Sequence, residues 1–221
     1  MMRELSMLEA RVLGVLIEKA HTVPDSYPLS LNALLSGCNQ KTARDPVINA
    51  TEAQVQVAAD ALKGLSLAFE SSGSRVSRYE HNLGRALGLP SQSVALLAVL
   101  MLRGPQTSAE LRMNTERLHR FADVSSVDAF LIELAERSPE KGGALVVKLP
   151  RAAGAREPRW AHLLSGAVDA SLMVTSADAE DFVAASELAA LKSNQKAMQA
   201  EIDSLRELVE RLYAELGVTR E

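Results

Sequence analysis

The chain uses one short phrase twice, Arg78-Tyr79-Glu80-His81-Asn82-Leu83 and Arg159-Trp160-Ala161-His162-Leu163-Leu164. Each copy follows a helical stretch and a strand-turn-strand pattern, so the phrase marks two copies of one supersecondary unit within 221 residues. A chain built this way is expected to stack two small units rather than to fold around a single large sheet.

In the first copy Ser6 is placed to cap a helix, with Glu9 three residues on and Leu8, Val12, Val15, Leu16 and Lys19 keeping the 3.6-residue period. The two prolines in His21–Pro28 predict a loop. Ser30–Leu35 predicts a short second helix stopped by Gly37 and Asn39, and Thr51 with Gln54 caps a third through Val55, Ala58, Ala59, Leu62 and Leu65. Leu67–Glu70 and Arg75–His81 read as strands around the turn Ser71–Ser74.

The second copy repeats the order. Ser91–Arg103 predicts a helix closed by Gly104-Pro105, and Thr107 with Glu110 starts a short one reaching about Met113. Val127–Arg137 predicts the third, with Phe130, Leu131 and Leu134 inward and Gly142-Gly143 ending it. Ala144–Leu149 and Arg159–Leu163 are strands around the loop Pro150–Pro158. Helix, helix, helix, strand, strand, twice over, predicts a mainly α chain with small β-wings, an α+β tandem winged helix with units over 1–84 and 85–165.

The rest differs in kind. Residues 166–185 are small and acidic and read as a linker. Over 186–217 a heptad appears, with Leu188, Gln195, Ile202, Val209 and Leu216 at one seam position and Leu191, Met198, Leu205 and Leu212 at the other. Ile and Val at the first position with Leu at the second favour two parallel strands, so a coiled-coil homodimer is expected. A single amphipathic helix folded back on the same chain is the other reading.

Charge follows the same division. Residues 1–165 hold 19 Lys/Arg against 17 Asp/Glu, and residues 166–221 hold 5 against 11. The overall pI near 5.7 counts against a dedicated nucleic-acid binder, which is usually frankly basic. No run of about 18 apolar residues predicts a membrane span, and no signal-like start precedes Leu5. The expected setting is the cytoplasm. Cys38 and four scattered histidines offer no zinc spacing, so no metal or other cofactor is expected.

Catalysis has little support in the sequence. Cys38 has no histidine in a pattern that would make it a nucleophile and reads as a packing residue. Glu9, Glu110 and Glu116 sit at helix starts or on polar faces, where capping and solvation explain them. His81 and His162, beside Tyr79 and Trp160, read as anchors of the wings.

The basic residues fall where a winged helix would meet a phosphate backbone. Lys148, Arg151, Arg156 and Arg159 surround Ala152-Ala153-Gly154-Ala155 in the second wing, and Arg75 and Arg78 occupy the first. Lys41 and Arg44 precede the third helix of the first unit, and Arg112, Arg117 and Arg120 that of the second. Solvated surface or ion pairing with Glu80 or Glu157 is the plainer account of these arginines. The third helices offer few base-reading side chains: Thr51, Glu52, Gln54 and Gln56, then Asp128 and Glu133.

With Tyr27–Leu34, Cys38-Asn39-Gln40-Lys41, Ser74–His81, Leu149-Pro150-Arg151 and Arg156–Leu164, the chain resembles the YceH family of uncharacterised bacterial proteins over about residues 6–165. That resemblance implies a tandem winged-helix fold and a bacterial origin, and it lends no activity. Within it, Arg44-Asp45-Pro46-Val47 could serve as a buried capping arrangement or as a surface contact. Two functions are therefore expected to compete. The first is a dimeric, regulatory, DNA-binding protein that is not an enzyme. The second is an adaptor binding another protein through its winged helices, as in the chromosome-segregation subunit ScpB, which has a similar architecture.

Overall fold

The computed structural model describes residues 3–71, 76–151 and 155–168, all within one compact unit, Met1–Ala170. A second unit, Ser171–Glu221, lies outside the described residues, and with it the heptad positions from Leu188 to Leu212. Among the described residues the fold is mixed α+β, with seven α-helices and two small antiparallel sheets.

The first copy runs α1 (Met7–Thr22), β1 (Leu29–Ser30), α2 (Leu31–Cys38), α3 (Glu52–Gly64), β2 (Ala68–Ser71), β3 (Arg78–His81). Its helix starts are those the capping residues predict. Ser6 Oγ accepts from the Glu9 amide at 3.2 Å while the Glu9 carboxylate accepts from the Ser6 amide at 2.8 Å. Thr51 and Gln54 do the same for α3 at 3.3 and 2.8 Å. Such reciprocal caps satisfy backbone donors that a helix start leaves without partners.

Gly37 does not stop α2. It lies inside the helix, which continues to Cys38 and closes on Asn39. A Cβ at Gly37 would stand 2.5 Å from Val15 Cγ1, so the glycine is where α2 presses onto α1. Leu67 likewise belongs to the helix end rather than to a strand. Its amide donates to Leu62 O at 2.9 Å, after Ser66 has turned the chain with φ 58°, and the strand begins one residue later.

Two elements were not legible as such. The two-residue β1 pairs Leu29 with Tyr79 and Ser30 with Arg78, making a three-stranded sheet of order β1-β3-β2. The five-residue α4 (Leu83–Leu87) buries Leu83 and closes on Gly88 at φ 64°. Both are too short to show a period.

The second copy runs α5 (Ser91–Arg103), α6 (Ser108–Asn114), α7 (Val124–Ala135), β4 (Val146–Lys148) and β5 (Trp160–His162). Thr107 and Glu110 form the expected capping box of α6. Helix α7 starts earlier than the apolar pattern indicates, because Asp123 accepts from the Ser126 amide at 2.7 Å. It also ends earlier. A short 3-10 turn, Pro139–Lys141, separates it from Gly142-Gly143.

Helix α1 packs on α2 and α3 of its own copy and on α5 of the other. The ten consecutive residues Ser93–Leu102 of α5 and nine, Glu9–Ile17, of α1 are buried all round. A helix buried on every side belongs in the middle of a core. Leu13, Leu16, Leu34, Leu62, Leu97 and Leu100 accordingly join one apolar cluster that continues through Leu111, Val127, Leu131 and Trp160. No helix among the described residues is long and apolar enough to cross a membrane.

Candidate nucleic-acid interface

The β4–β5 pair, expected from the sequence to form the second wing, is built from its buried aromatic outward. In the β4–β5 ladder Lys148 pairs with Trp160 and Val146 with His162. Gln106 extends this pairing by exchanging backbone hydrogen bonds with Trp160 at 3.1 and 2.7 Å. Trp160 is only 3% exposed, and the Lys148 ammonium lies 5.3 Å from its ring centroid. That cation–π contact, worth about 0.5–1 kcal/mol at an exposed site, holds the lysine along the wing.

Arg159 braces the base of the wing. It donates to Pro105 O at 3.0 Å and meets the Glu110 carboxylate at 3.4 Å, while its side chain stays 42% exposed. Arg151 and Arg156, by contrast, are exposed at either side of the wing loop. Neither has a carboxylate partner among the described residues.

Arg117 and Arg120 are exposed in the segment between α6 and α7. Buried Thr115 donates its hydroxyl to Leu111 O at 2.7 Å and its carbonyl accepts from Leu118 and His119. The edge contact of His119 on Phe121, at 4.7 Å, and of Phe121 on Phe130, at 5.9 Å, fixes the far end. Both arginines thus stand on a well-held backbone. Arg112 turns back to donate to Ala122 O at 3.1 Å.

The first copy corrects one expectation plainly. Arg44 faces no solvent: its side chain is fully buried and donates to Glu18 at 2.6 and 3.1 Å, to Gly37 O at 3.0 Å and to Ala43 O at 2.8 Å. A guanidinium whose donors are spent on the core has none left for a phosphate. Nor does it cap Asp45, whose amide instead donates to Leu102 O of α5 at 2.8 Å. Lys41 is exposed, Arg78 is exposed but donates to Pro28 O at 2.9 Å, and Arg75 lies outside the described residues.

Arg11 escaped the sequence reading altogether. Buried in α1, it donates to Cys38 O at 3.3 Å and Pro46 O at 2.6 Å, and so ties the segment after α2 to the core. The available signal was a charged residue inside the apolar run Ala10–Ile17. With Arg44 and the Asn39 amide, which bonds Ala50 at 2.8 and 2.9 Å, it fixes the approach to α3 without regular secondary structure.

The outward faces of the third helices carry no free cation. Helix α3 exposes Glu52, Ala53, Gln54, Val57 and Asp60, and Lys63 is bound by Asp60 at 2.9 Å and by Glu70. Helix α7 exposes Ser125, Ala129, Ile132 and Glu133. Its Asp128 accepts from the Ser108 hydroxyl at 2.5 Å. These surfaces do not match the donor pattern that reads bases or the cations that neutralise phosphates.

Burial shifts four further titratable groups. The Cys38 thiol is pushed up to about 12 and stays protonated, as a packing residue would. Burial also raises the Tyr27 hydroxyl to about 12, and its oxygen accepts from the His81 amide at 2.7 Å. His81 and His162, at matching places in the two copies, are both lowered to about 4 by burial, His81 further by His21. Among the described residues no group of three or more His, Cys, Asp or Glu is placed to hold a metal ion.

The sequence of this small α+β chain matches a known family model. Residues 5–155 match the model described as a protein of unknown function, DUF480, and the chain belongs to that family. It is similar to a UPF0502 protein of Burkholderia pseudomallei, with 63% identity over 217 residues that cover 98% of this chain and 91% of the relative. A UPF0502 protein of Leptothrix cholodnii is 60% identical over 221 residues, covering 99% and 98% of the two chains. One from Cupriavidus pinatubonensis is 61% identical over 218 residues, covering 98% and 92%.

Proposed function

We propose that this chain is a tandem winged-helix protein that binds duplex DNA through its phosphate backbone, gripping it with the second wing rather than reading it with the third helices. The observation that carries this is the placement of Arg151 and Arg156. Both are exposed on a loop of small residues, at the tip of a ladder held by buried Trp160 and by Arg159. Guanidinium groups so placed can meet phosphate oxygens in a forked geometry without first breaking an ion pair. Lys148, Arg117, Arg120 and Lys41 supply further exposed charge. Binding of this kind positions a protein without specifying sequence.

Resemblance to the YceH family supports the winged-helix reading, and the heptads over 186–217 support a homodimer, in which two wings on one duplex raise avidity. Sedimentation of the full chain measures that pairing. The test of the wing is fluorescence anisotropy with a random-sequence duplex at low salt. Arg151→Glu with Arg156→Glu is expected to weaken binding by at least about tenfold and leave the fold intact, whereas unchanged affinity rejects the proposal.

A protein adaptor, similar in architecture to ScpB, is the second reading. The acidic and aliphatic faces of α3 and α7 favour it. It takes the place of the first if the wild-type chain binds no duplex.

A further inference from the structure

An apolar groove of about 340 Å³ opens between the first turn of α1 and the outer side of α3, lined by Ser6, Leu8, Ala53, Val57 and Ala58. The first turns of both helices meet there, and their capping boxes take the amides of Ser6, Glu9, Thr51 and Gln54. The Glu9 carboxylate is closed by Arg3 at 2.7 Å. The surface on offer is mainly aliphatic. Val57 is 69% exposed, and Met7, beside Ser6 and Leu8 in the chain, is 71% exposed.

Charge defines one edge of this groove. On α3, Ala53 and Val57 form one row along the helix, and Glu52, Gln56 and Asp60 form the adjacent row at the same four-residue spacing. The one cation beside them, Lys63, is held between Asp60 and Glu70, so the edge stays acidic. Farther along, Gly64 is exposed, with nothing within 4 Å of where a Cβ would stand. A helix laid along α3 can therefore approach closely at both Ala53 and Gly64.

We infer that this groove docks an amphipathic helix of another protein, one whose aliphatic row is flanked by a row of Lys or Arg. Aliphatic anchors at helical spacing would fill the space beside Val57 and Leu8, and the basic row would meet Glu52, whose carboxylate has no cation partner among the described residues, and then the outer side of Asp60. The site lies on the first copy, away in sequence from the wing arginines of the second. It stands whether or not the wing binds DNA.

The test uses the full-length chain and two labelled synthetic helical peptides with the same leucine row, one flanked by lysine and one by glutamate. The Leu/Lys peptide is expected to bind, and the Leu/Glu peptide about tenfold more weakly. Val57→Asp, at a position too exposed to carry the core, is expected to weaken the Leu/Lys peptide by about tenfold, and Glu52→Lys by about threefold. Amide NMR shifts on peptide addition should centre on residues 6–9 and 53–58. Equal binding of the two peptides, or an unchanged Kd in Val57→Asp, overturns the inference. So does a change of oligomeric state in Val57→Asp, which would give the groove to a second copy of this chain. Duplex binding by Val57→Asp should equal wild type, which keeps this result separate from the fate of the wing.

Discussion

Arg44 reaches the Glu18 carboxylate at 2.6 Å from a side chain with no solvent exposure. The pair joins the segment before α3 to α1. Removing one partner of a buried ion pair leaves an uncompensated charge, at a cost of about 3–5 kcal/mol, whereas replacing both with apolar residues costs much less. Arg44→Met should therefore lower the chemical-denaturation midpoint sharply, and Arg44→Met with Glu18→Leu should recover most of the loss. Additive losses in the double variant would show that the two side chains act separately.

The same pair sets an acid limb of stability. Burial raises the Glu18 carboxyl, but the hydrogen bonds and charge of Arg44, with Lys19, outweigh it and hold the group below its ordinary 4.5. A depressed folded value means that this contribution is whole above 4.5 and is lost as pH falls through the folded value. His81 and His162 act over a higher window. Their values near 4 in the fold, against 6.5 in an open chain, let the unfolded state take up protons first, so stability falls as pH drops from 6.5 towards 4. NMR titration of the imidazole protons should find both rings neutral at pH 5. A midpoint near 6.5 for either would contradict their burial.

Trp160 is the only tryptophan, which makes its surroundings directly visible. With 3% exposure its emission should be blue-shifted in the native protein and move to the red on unfolding. Trp160→Ala should cost about 3–5 kcal/mol, because it empties the base of the second wing. A solvent-like native emission would mean that the aromatic faces outward.

The capping boxes explain why so much of the fold was legible. Ser6/Glu9, Thr51/Gln54 and Thr107/Glu110 each marked a helix start to the residue, because the motif is the structure of the cap itself. The repeated aromatic-and-histidine phrase marked β3 and β5 for a similar reason, as Tyr79 and Trp160 occupy matching buried places. Helix ends were less legible. Gly37 reads as a stop in sequence, and only the approach of α2 to Val15 reveals it as a packing residue.

The candidate site was legible only in part, since charge in a sequence does not say which way a side chain turns. Arg151, Arg156, Arg117 and Arg120 are exposed as expected. Arg44 is spent on internal partners and Arg159 is half-exposed but tied to Glu110, and nothing local distinguishes them from the others. The partner of each lies far along the chain, 26 residues away for Arg44 and 49 for Arg159.

Gly37 offers a test of the α1–α2 contact. A Cβ there would meet Val15 Cγ1 at 2.5 Å, well inside contact distance. Gly37→Ala should lower stability by about 1–3 kcal/mol, as overpacking does, even though alanine favours a helix. Adding Val15→Ala should restore part of the loss. An unchanged or raised melting temperature for Gly37→Ala alone would contradict the close approach.

The central claim concerns phosphate contact, and the salt dependence of duplex binding measures it most directly. Released counterions make log K fall linearly with log salt concentration, with a slope of about 0.9 for each phosphate contacted. For the wild-type chain on a random-sequence duplex the account predicts such a line, insensitive to the sequence used. In Arg151→Glu with Arg156→Glu the slope should be shallower by about 1.8 per chain engaged, that is, two lost contacts. Absence of wild-type binding at low salt, or the same slope in the variant, would contradict the account.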